Sequence, residues 1–132
     1  MCIFYILLQK FMSSILTPIY TKLSGISPID ESLQPSHTER LHRVLIASWS
    51  CRFDVGDCVP RSQAYFKEWR YSINPDEENN VPTDFRAVVY CTAIRHGNDE
   101  DWDFLWERYR KSNVAAEKKT IITVIITNRW FF

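Results

Sequence analysis

Glycine is scarce in this chain, with three residues among 132. Three glycines cannot supply both a phosphate-binding loop and the turns around it, and together with only six prolines they argue against a loop-rich all-β sandwich. An excess of charge of one sign is also absent, because 16 Lys and Arg balance 16 Asp and Glu. A net charge of zero gives no long-range field toward DNA, RNA or an anionic membrane. The sequence therefore argues against a nucleic-acid partner.

Long apolar runs are also lacking at the N-terminus, where the only one covers residues 2–8. No Lys or Arg precedes this run and no small-residue cleavage pattern follows it, so it does not resemble a signal peptide. Lys10 and Ser13 interrupt it well before the ~20 residues that a membrane span requires. We interpret the run as the buried start of a helix over about residues 3–23, bent at Pro18 and ended by Gly25, and we expect no membrane span in this chain.

What the sequence does contain is a series of amphipathic helices, starting with one over about residues 36–52. Ser36 and Glu39 have the spacing of a capping box at its start. Its apolar positions recur at helical spacing: Leu41, Val44, Leu45 and Trp49. Asp57 can cap a second helix with three aromatic residues on a partly shared face: Tyr65, Phe66 and Trp69. The few residues between these two helices predict an antiparallel hairpin.

The second half of the chain continues this pattern after a polar loop over residues 72–83. A helix from Thr83 to just before Gly97 places four residues on one side: Phe85, Val88, Val89 and Thr92. Asn98 and Asp101 open the next helix, whose stripe is the strongest in the chain: Trp102, Leu105, Trp106 and Tyr109. Its spacing predicts a core face rather than a base-stacking surface. A fifth helix begins over residues 114–119. Successive hairpins predict an all-α fold of stacked antiparallel helical hairpins, a HEAT/armadillo-like α-solenoid fragment.

The last thirteen positions differ in composition from the rest. Residues 120–127 are a β-branched run that suits a strand better than a helix, and three aromatic residues follow it at 130–132. We therefore place a boundary at Thr120.

Two stretches, residues 82–97 and 100–113, resemble the C-terminal helical domain of the aminopeptidase N-like (gluzincin) zinc metalloaminopeptidases, which include the endoplasmic reticulum aminopeptidases. The resemblance begins near Gln9 and includes the Thr-Pro segment at 17–18. It implies a family motif in the core made of eight residues: Pro82, Asp84, Arg86, Tyr90, Trp102, Phe104, Trp106 and Tyr109. On this basis residues 1–119 are a partial aminopeptidase C-terminal helical domain, and residues 120–132 are an apolar tail unlike the family.

The resemblance also implies which chemistry is absent. The family holds its zinc through His-Glu-x-x-His and a further Glu on a separate catalytic domain, and grips the substrate amine with Gly-x-Met-Glu-Asn. Neither motif occurs here, so no catalytic residue, metal ligand or cofactor is expected in this chain. The resemblance implies a fragment that closes the peptide-binding cavity of an enzyme that removes N-terminal residues from peptides. The enzyme would be membrane-associated and face the secretory-pathway lumen or the outside of the cell. The alternatives are a stand-alone helical interaction module and an inert gene fragment.

Four cysteines are present: Cys2, Cys51, Cys58 and Cys91. Cys51 and Cys58 can meet across a tight turn, or they can be two reduced thiols of a cytosolic protein. Relatives carry a paired-cysteine hairpin at this place, so the resemblance implies a structural disulfide. Relatives also carry a partner for the cysteine that matches Cys91, soon after the position of residue 119. Because no such cysteine follows in this sequence, Cys91 is expected to be an unpaired thiol.

Three other polar features have structural explanations. His37 and His42 are five residues apart, which turns the second imidazole about 140° around the helix from the first, so they cannot share one zinc ion. The acidic residues at 99–103 lie in the first turn of a helix, where negative charge is favourable. His96 lies at a helix C-terminus, where positive charge is favourable.

Overall fold

The computed structural model describes residues 2–28 and 30–130, and in these residues it is all-helical, as predicted, with no strand. Its α-helices are α1 (Cys2–Lys22), α2 (His37–Arg52), α3 (Cys58–Arg70), α4 (Arg86–Arg95), α5 (Asp99–Lys111) and α6 (Ala115–Trp130). Short 3-10 turns cover Glu31–Leu33 and Thr83–Phe85. The chain divides into two compact units, 1–61 and 62–132, and the division falls within α3.

In the first unit, α1 packs along α2 through its C-terminal half, where Leu16 and Tyr20 are buried. Pro18 lies inside the helix. Just beyond the helix end, Gly25 has a φ of +57°, and a Cβ atom at this position would lie 2.7 Å from Cζ of Tyr20. Both facts require glycine, because a side chain here would be strained and would collide with the ring. The predicted end of the helix at Gly25 therefore has a structural cause.

The N-terminal half of α1 differs from the prediction. Ile3 is 76% exposed and Phe4 is 74% exposed, and the apolar residues that follow them are exposed as well. The interpretation as a buried helix start is wrong, because the first buried residue of the helix is Leu16, more than two turns after the apolar run ends at Leu8. Lys10 and Ser13 do not end the helix, which continues to Lys22. By length and composition alone, α1 is long and apolar enough to cross a membrane.

Helix α2 begins as predicted but buries a different face. The Ser36 side chain accepts from the Glu39 amide and the Glu39 side chain accepts from the Ser36 amide, which confirms the capping box. Three of the four apolar residues expected in the core are exposed: Leu41, Leu45 and Trp49. The buried residues are small ones: Ala47, Ser50 and Cys51. Small side chains allow a neighbouring segment of the same chain to approach α2 closely, and this contact decides which face of the helix is covered.

The second unit has its core around α4, which packs on α6, as does α5. The α4 side predicted to be apolar is buried, including Phe85 and Val89, which are 0% exposed. Leu105 of α5 and Ile121 of α6 are also 0% exposed. The buried aromatic rings of Trp69 and Tyr90 stack at 5.0 Å between centroids. The α4 prediction is therefore confirmed.

Residues 120–127 are helical, so the strand prediction is wrong. Helix α6 runs unbroken through Thr120, and it buries Ile121, Val124, Ile125 and Asn128. This spacing is that of one helix face, whereas a strand would bury alternate residues. Packing of that face outweighs the lower helix propensity of β-branched residues, which is a weak effect per residue.

The stripe of α5 is only partly buried. Leu105 is fully buried, Trp102 and Tyr109 are half-buried, and Trp106 is 37% exposed. The rings instead stack along the helix surface, with centroid distances of 5.9 Å from Trp102 to Trp106 and 5.3 Å from Trp106 to Tyr109. Among the eight motif residues expected in the core, Tyr90 is buried and Trp106 is exposed, while the other six are half-buried. The core prediction is thus wrong for Trp106.

Candidate functional site

The second unit contains a cleft of about 420 Å³ that is lined by charged and polar side chains. The loop before α4 and the ends of three helices line it: the start of α4, the end of α5 and the start of α6. We call it the polar cleft. Its wall includes the buried indole of Trp69, whose Nε1 donates to the carbonyl of Pro75 at 2.9 Å and so holds the loop against α3.

A network centred on Glu117 forms one side of the polar cleft. The hydroxyl of Tyr90 donates to Oε1 of Glu117 at 2.7 Å, and Nη1 of Arg86 donates to Oε2 at 3.1 Å. Nδ2 of Asn79 donates to the Tyr90 hydroxyl at 2.7 Å. The network therefore joins the loop, α4 and the first turn of α6. The Glu117 carboxylate of α6 thus holds two side chains of α4, and Asn79 of the loop joins the network through Tyr90.

Burial and the hydrogen bond to Glu117 raise the pKa of Tyr90 well above its usual range. Burial is the largest cause, because it penalises the charged phenolate. The Glu117 carboxylate raises the pKa further by accepting a hydrogen bond from the hydroxyl and by repelling the phenolate charge. Tyr90 is thus a neutral hydrogen-bond donor at physiological pH and not a base or nucleophile.

Arg108 also lines the polar cleft. Its side chain is 10% exposed, and Nη1 lies 3.0 Å from Oδ1 of Asp76 in the loop. The guanidinium also lies over the ring of Phe104, at 5.1 Å from its centroid. Nε of Arg108 and Nε of Arg86 are buried without a hydrogen-bond partner. The polar cleft thus has two guanidinium groups on its walls with donors left over.

The predicted disulfide is present. Cys51 at the end of α2 and Cys58 at the start of α3 are bonded, with their Cα atoms 4.9 Å apart. Cys2 and Cys91 are outside any disulfide in the described residues. The Cys91 sulfur accepts weak hydrogen bonds from Arg95 and from Nδ2 of the buried Asn128, each at 3.5 Å. The bridge closes the corner between α2 and α3, which belong together in the first unit up to Arg61.

No group of three or more His, Cys, Asp or Glu side chains among the described residues could hold a metal ion. The His37 and His42 side chains are exposed on α2. Asp57 directly precedes α3, and its carbonyl accepts from the Arg61 amide at 2.8 Å, as the predicted N-cap position requires. Its carboxylate accepts from the Tyr20 hydroxyl and from Nε of Arg61.

Sequence reasoning missed the residues that build the polar cleft. Among the charged residues there, Arg86 was singled out as part of a motif, whereas Glu117, Arg108 and Asp76 were not. Arg108 lies three residues after Leu105 on α5, the spacing that places both on one buried face, and this was the available signal. Which loop residue would meet it depends on the path of the loop, for which the sequence has no periodicity.

Comparisons with known proteins cover almost the whole chain. A model of the ERAP1-like C-terminal domain matches residues 4–126, so the match extends past Thr120. Aminopeptidase Ey of Gallus gallus is 24% identical over 129 residues, covering 93% of this chain and 13% of the relative. Aminopeptidase N of Homo sapiens is 27% identical over 114 residues, covering 83% of this chain and 11% of the relative. Aminopeptidase Q of Acinonyx jubatus is 30% identical over 120 residues, covering 89% of this chain and 11% of the relative. The chain thus spans roughly a tenth of the length of these relatives.

Proposed function

Because this chain belongs to the ERAP1-like C-terminal domain family, we propose that it acts as part of an aminopeptidase that removes N-terminal residues from peptides. In that enzyme it helps to close the cavity that holds the peptide and takes no part in the chemistry. The match over residues 4–126 is the observation that carries this proposal. The relatives are named aminopeptidases, and the matched stretch is a small share of their length.

The residues of the chain support this division of labour. Zinc belongs to the catalytic domain of this family, and the described residues hold no group of three or more His, Cys, Asp or Glu side chains that could bind a metal. A metal-activated water requires at least three protein ligands around an open position. The helices can therefore contribute shape and contacts to a bound peptide, while another domain supplies the Lewis acid.

The expected location is the secretory pathway or the outside of the cell, in an enzyme associated with a membrane. The Cys51–Cys58 disulfide supports an oxidising compartment, because disulfides persist there and are rare in the cytosol. Peptide is the expected partner of the complete enzyme, and we propose a HEAT/armadillo-like stacking of the hairpins, whose concave face would meet that peptide.

The first experiment is a full-length read of the transcript from this locus. We expect the reading frame to continue upstream through His-Glu-x-x-His. A message that begins at Met1 and ends after Phe132 would contradict the proposal and favour a stand-alone helical interaction module or an inert gene fragment.

The second experiment tests the cavity-closing role in the complete enzyme. A peptide with a photoreactive benzophenone near its C-terminus is irradiated with the zinc enzyme, and the labelled residues are mapped by mass spectrometry. We expect labels within the segment that corresponds to residues 4–126. A benzophenone aminoacyl amide, which reaches only the catalytic centre, serves as the matched control and should label the catalytic domain. Labels confined to the catalytic domain with both probes would refute the cavity-closing role.

A further inference from the structure

The polar cleft carries equal numbers of charges of both signs. Its charged lining residues are Asp76, Glu77, Glu117, Arg86, Arg108 and Lys111. A ligand with a net charge meets as much repulsion as attraction on such a lining. A ligand that carries one positive and one negative group can face the opposite sign at each end, so the lining favours a small zwitterion.

The cationic groups of the cleft have spare hydrogen-bond donors. A guanidinium has five N–H donors, and Arg108 pairs with Asp76 through Nη1 while its buried Nε has no partner. Arg86 pairs with Glu117 in the same manner and its Nε is also unpartnered. Both Nε atoms are sealed from solvent, so a carboxylate in the cleft would accept from the remaining Nη donors of these guanidinium groups. It would also meet Lys111 at the end of α5, whose Nζ lies 3.4 Å from Oε1 of Glu107.

An acceptor for the opposite end of such a ligand is Glu77. Its side chain lines the polar cleft and forms no hydrogen bond or ion pair with the described residues. Asp76 and Glu117 are already bound to guanidinium groups. Glu77 is therefore the carboxylate with free capacity for an ammonium group, which offers three donors.

Size and the uncharged part of the lining define the remainder of the ligand. A volume of about 420 Å³ is at the lower end of the range for small-molecule sites. Trp69, Pro75 and Val114 give the cleft an apolar portion. We propose that the polar cleft binds a free amino acid with an apolar side chain, the carboxylate near Arg108 and Lys111 and the ammonium group near Glu77. This site lies beyond the proposed function, and it can exist whether or not the chain belongs to a working enzyme.

The test uses the complete ¹⁵N-labelled chain and three probes. L-Leucine carries both charges, leucinamide lacks the carboxylate, and N-acetyl-leucine lacks the ammonium group. We expect L-leucine to shift amide resonances around the polar cleft, and each single-charge analogue to bind about tenfold more weakly or worse. Equal binding of leucinamide or of N-acetyl-leucine would overturn the requirement for both charges. No shift at about 10 mM L-leucine, a concentration sufficient to detect weak binding, would overturn the site.

Two lysines provide a matched pair of variants. Lys111→Gln removes a cation of the cleft, and Lys119→Gln makes the same change at an exposed position of α6 outside it. We expect Lys111→Gln and Glu77→Gln each to weaken L-leucine binding about threefold to fivefold, while Lys119→Gln leaves it unchanged. All three side chains are exposed, so folding should be preserved. An equal loss in Lys119→Gln, or none in Glu77→Gln, would refute the placement.

Discussion

The hydroxyl of Tyr20 donates a hydrogen bond to Oδ1 of Asp57 at 2.7 Å, which ties the last turn of α1 to the residue before α3. The other carboxylate oxygen accepts from Nε of Arg61 at 2.9 Å. The Tyr20 ring lies against Gly25 and Gly56, where added Cβ atoms would come within 2.7 Å and 3.2 Å of it. One buried side chain therefore organises the corner of the first unit, by its ring on the glycines and by its hydroxyl on Asp57.

Replacing Tyr20 with Phe removes the hydroxyl and leaves the ring. We expect Tyr20→Phe to lower the free energy of unfolding by about 1–2 kcal/mol, because a partly buried hydrogen bond to a charged group is lost. Urea titration followed by circular dichroism measures this. Tyr5→Phe makes the same change at a side chain that is 54% exposed and should change the free energy of unfolding by less than about 0.5 kcal/mol. Equal effects of the two variants would show that the Asp57 contact contributes nothing.

The Cys51–Cys58 disulfide should be measurable by mass and by stability. Under non-reducing conditions we expect two alkylated thiols, Cys2 and Cys91, and four after reduction. Because the closed loop is short, the chain-entropy estimate of its contribution is about 2.5 kcal/mol, and Cys51→Ala with Cys58→Ala should lose about that much. Cys91→Ala is the control for the loss of a thiol without a bridge. Four free thiols in material from an oxidising compartment would contradict the bridge.

The Tyr90–Glu117 hydrogen bond predicts a decline in stability at alkaline pH. The folded protein raises the pKa of Tyr90 above the value of 10.0 of an ordinary tyrosine. Its contribution is therefore complete below about pH 10, and it is lost as pH rises above that value, where the unfolded chain releases the proton first. Chemical denaturation between pH 7 and pH 11 measures the slope.

Two variants separate this effect from other alkaline titrations. Tyr90→Phe has no hydroxyl to titrate, so we expect a flatter decline above pH 10 together with a lower stability at pH 7. Tyr71→Phe, at a side chain that is 67% exposed, should retain the steep decline. A Tyr90→Phe profile as steep as that of the unmodified chain would assign the decline to other groups.

Helix α6 predicts a helical pattern of sensitivity through its β-branched run. Ile121→Ala should cost about 2–5 kcal/mol, because it leaves a cavity in a buried core, whereas Ile126→Ala, at a side chain that is 51% exposed, should cost less than about 0.5 kcal/mol. Val124→Ala and Thr123→Ala extend the test. The helix buries position 124 and exposes position 123, and a strand that buries position 121 would bury position 123 and expose position 124. Greater sensitivity at 123 than at 124 would contradict the helix.

Local signals in the sequence were sufficient where the interacting atoms are close along the chain. The capping box of Ser36 and Glu39 and that of Asn98 and Asp101 are both present, because each joins groups within one helical turn. The end of α1 before Gly25 and the polar loop predicted at 72–83 followed from the same kind of rule. The assignment of α4 succeeded for a related reason, since its apolar face is unambiguous.

Predictions about burial failed where two faces of a helix competed. Trp49 and Leu45 of α2 are more hydrophobic than Ala47 and Ser50, yet the smaller residues are buried. In α5 the burial of Arg108 and the exposure of Trp106 reverse the order that hydrophobicity predicts. The free energy of burial depends on the surface that a neighbouring element offers, and periodicity contains no information about that neighbour.

The sequence by itself determined that the chain is helical, where most helices begin and end, that it resembles an aminopeptidase domain, and that it carries no zinc motif. These properties depend on bonds within a turn or on residue identity. Only the tertiary structure decided that residues 120–127 form a helix and that Tyr90, Arg86 and Glu117 meet at one cleft. Both depend on contacts between residues that are distant in sequence, where packing free energy exceeds local propensity.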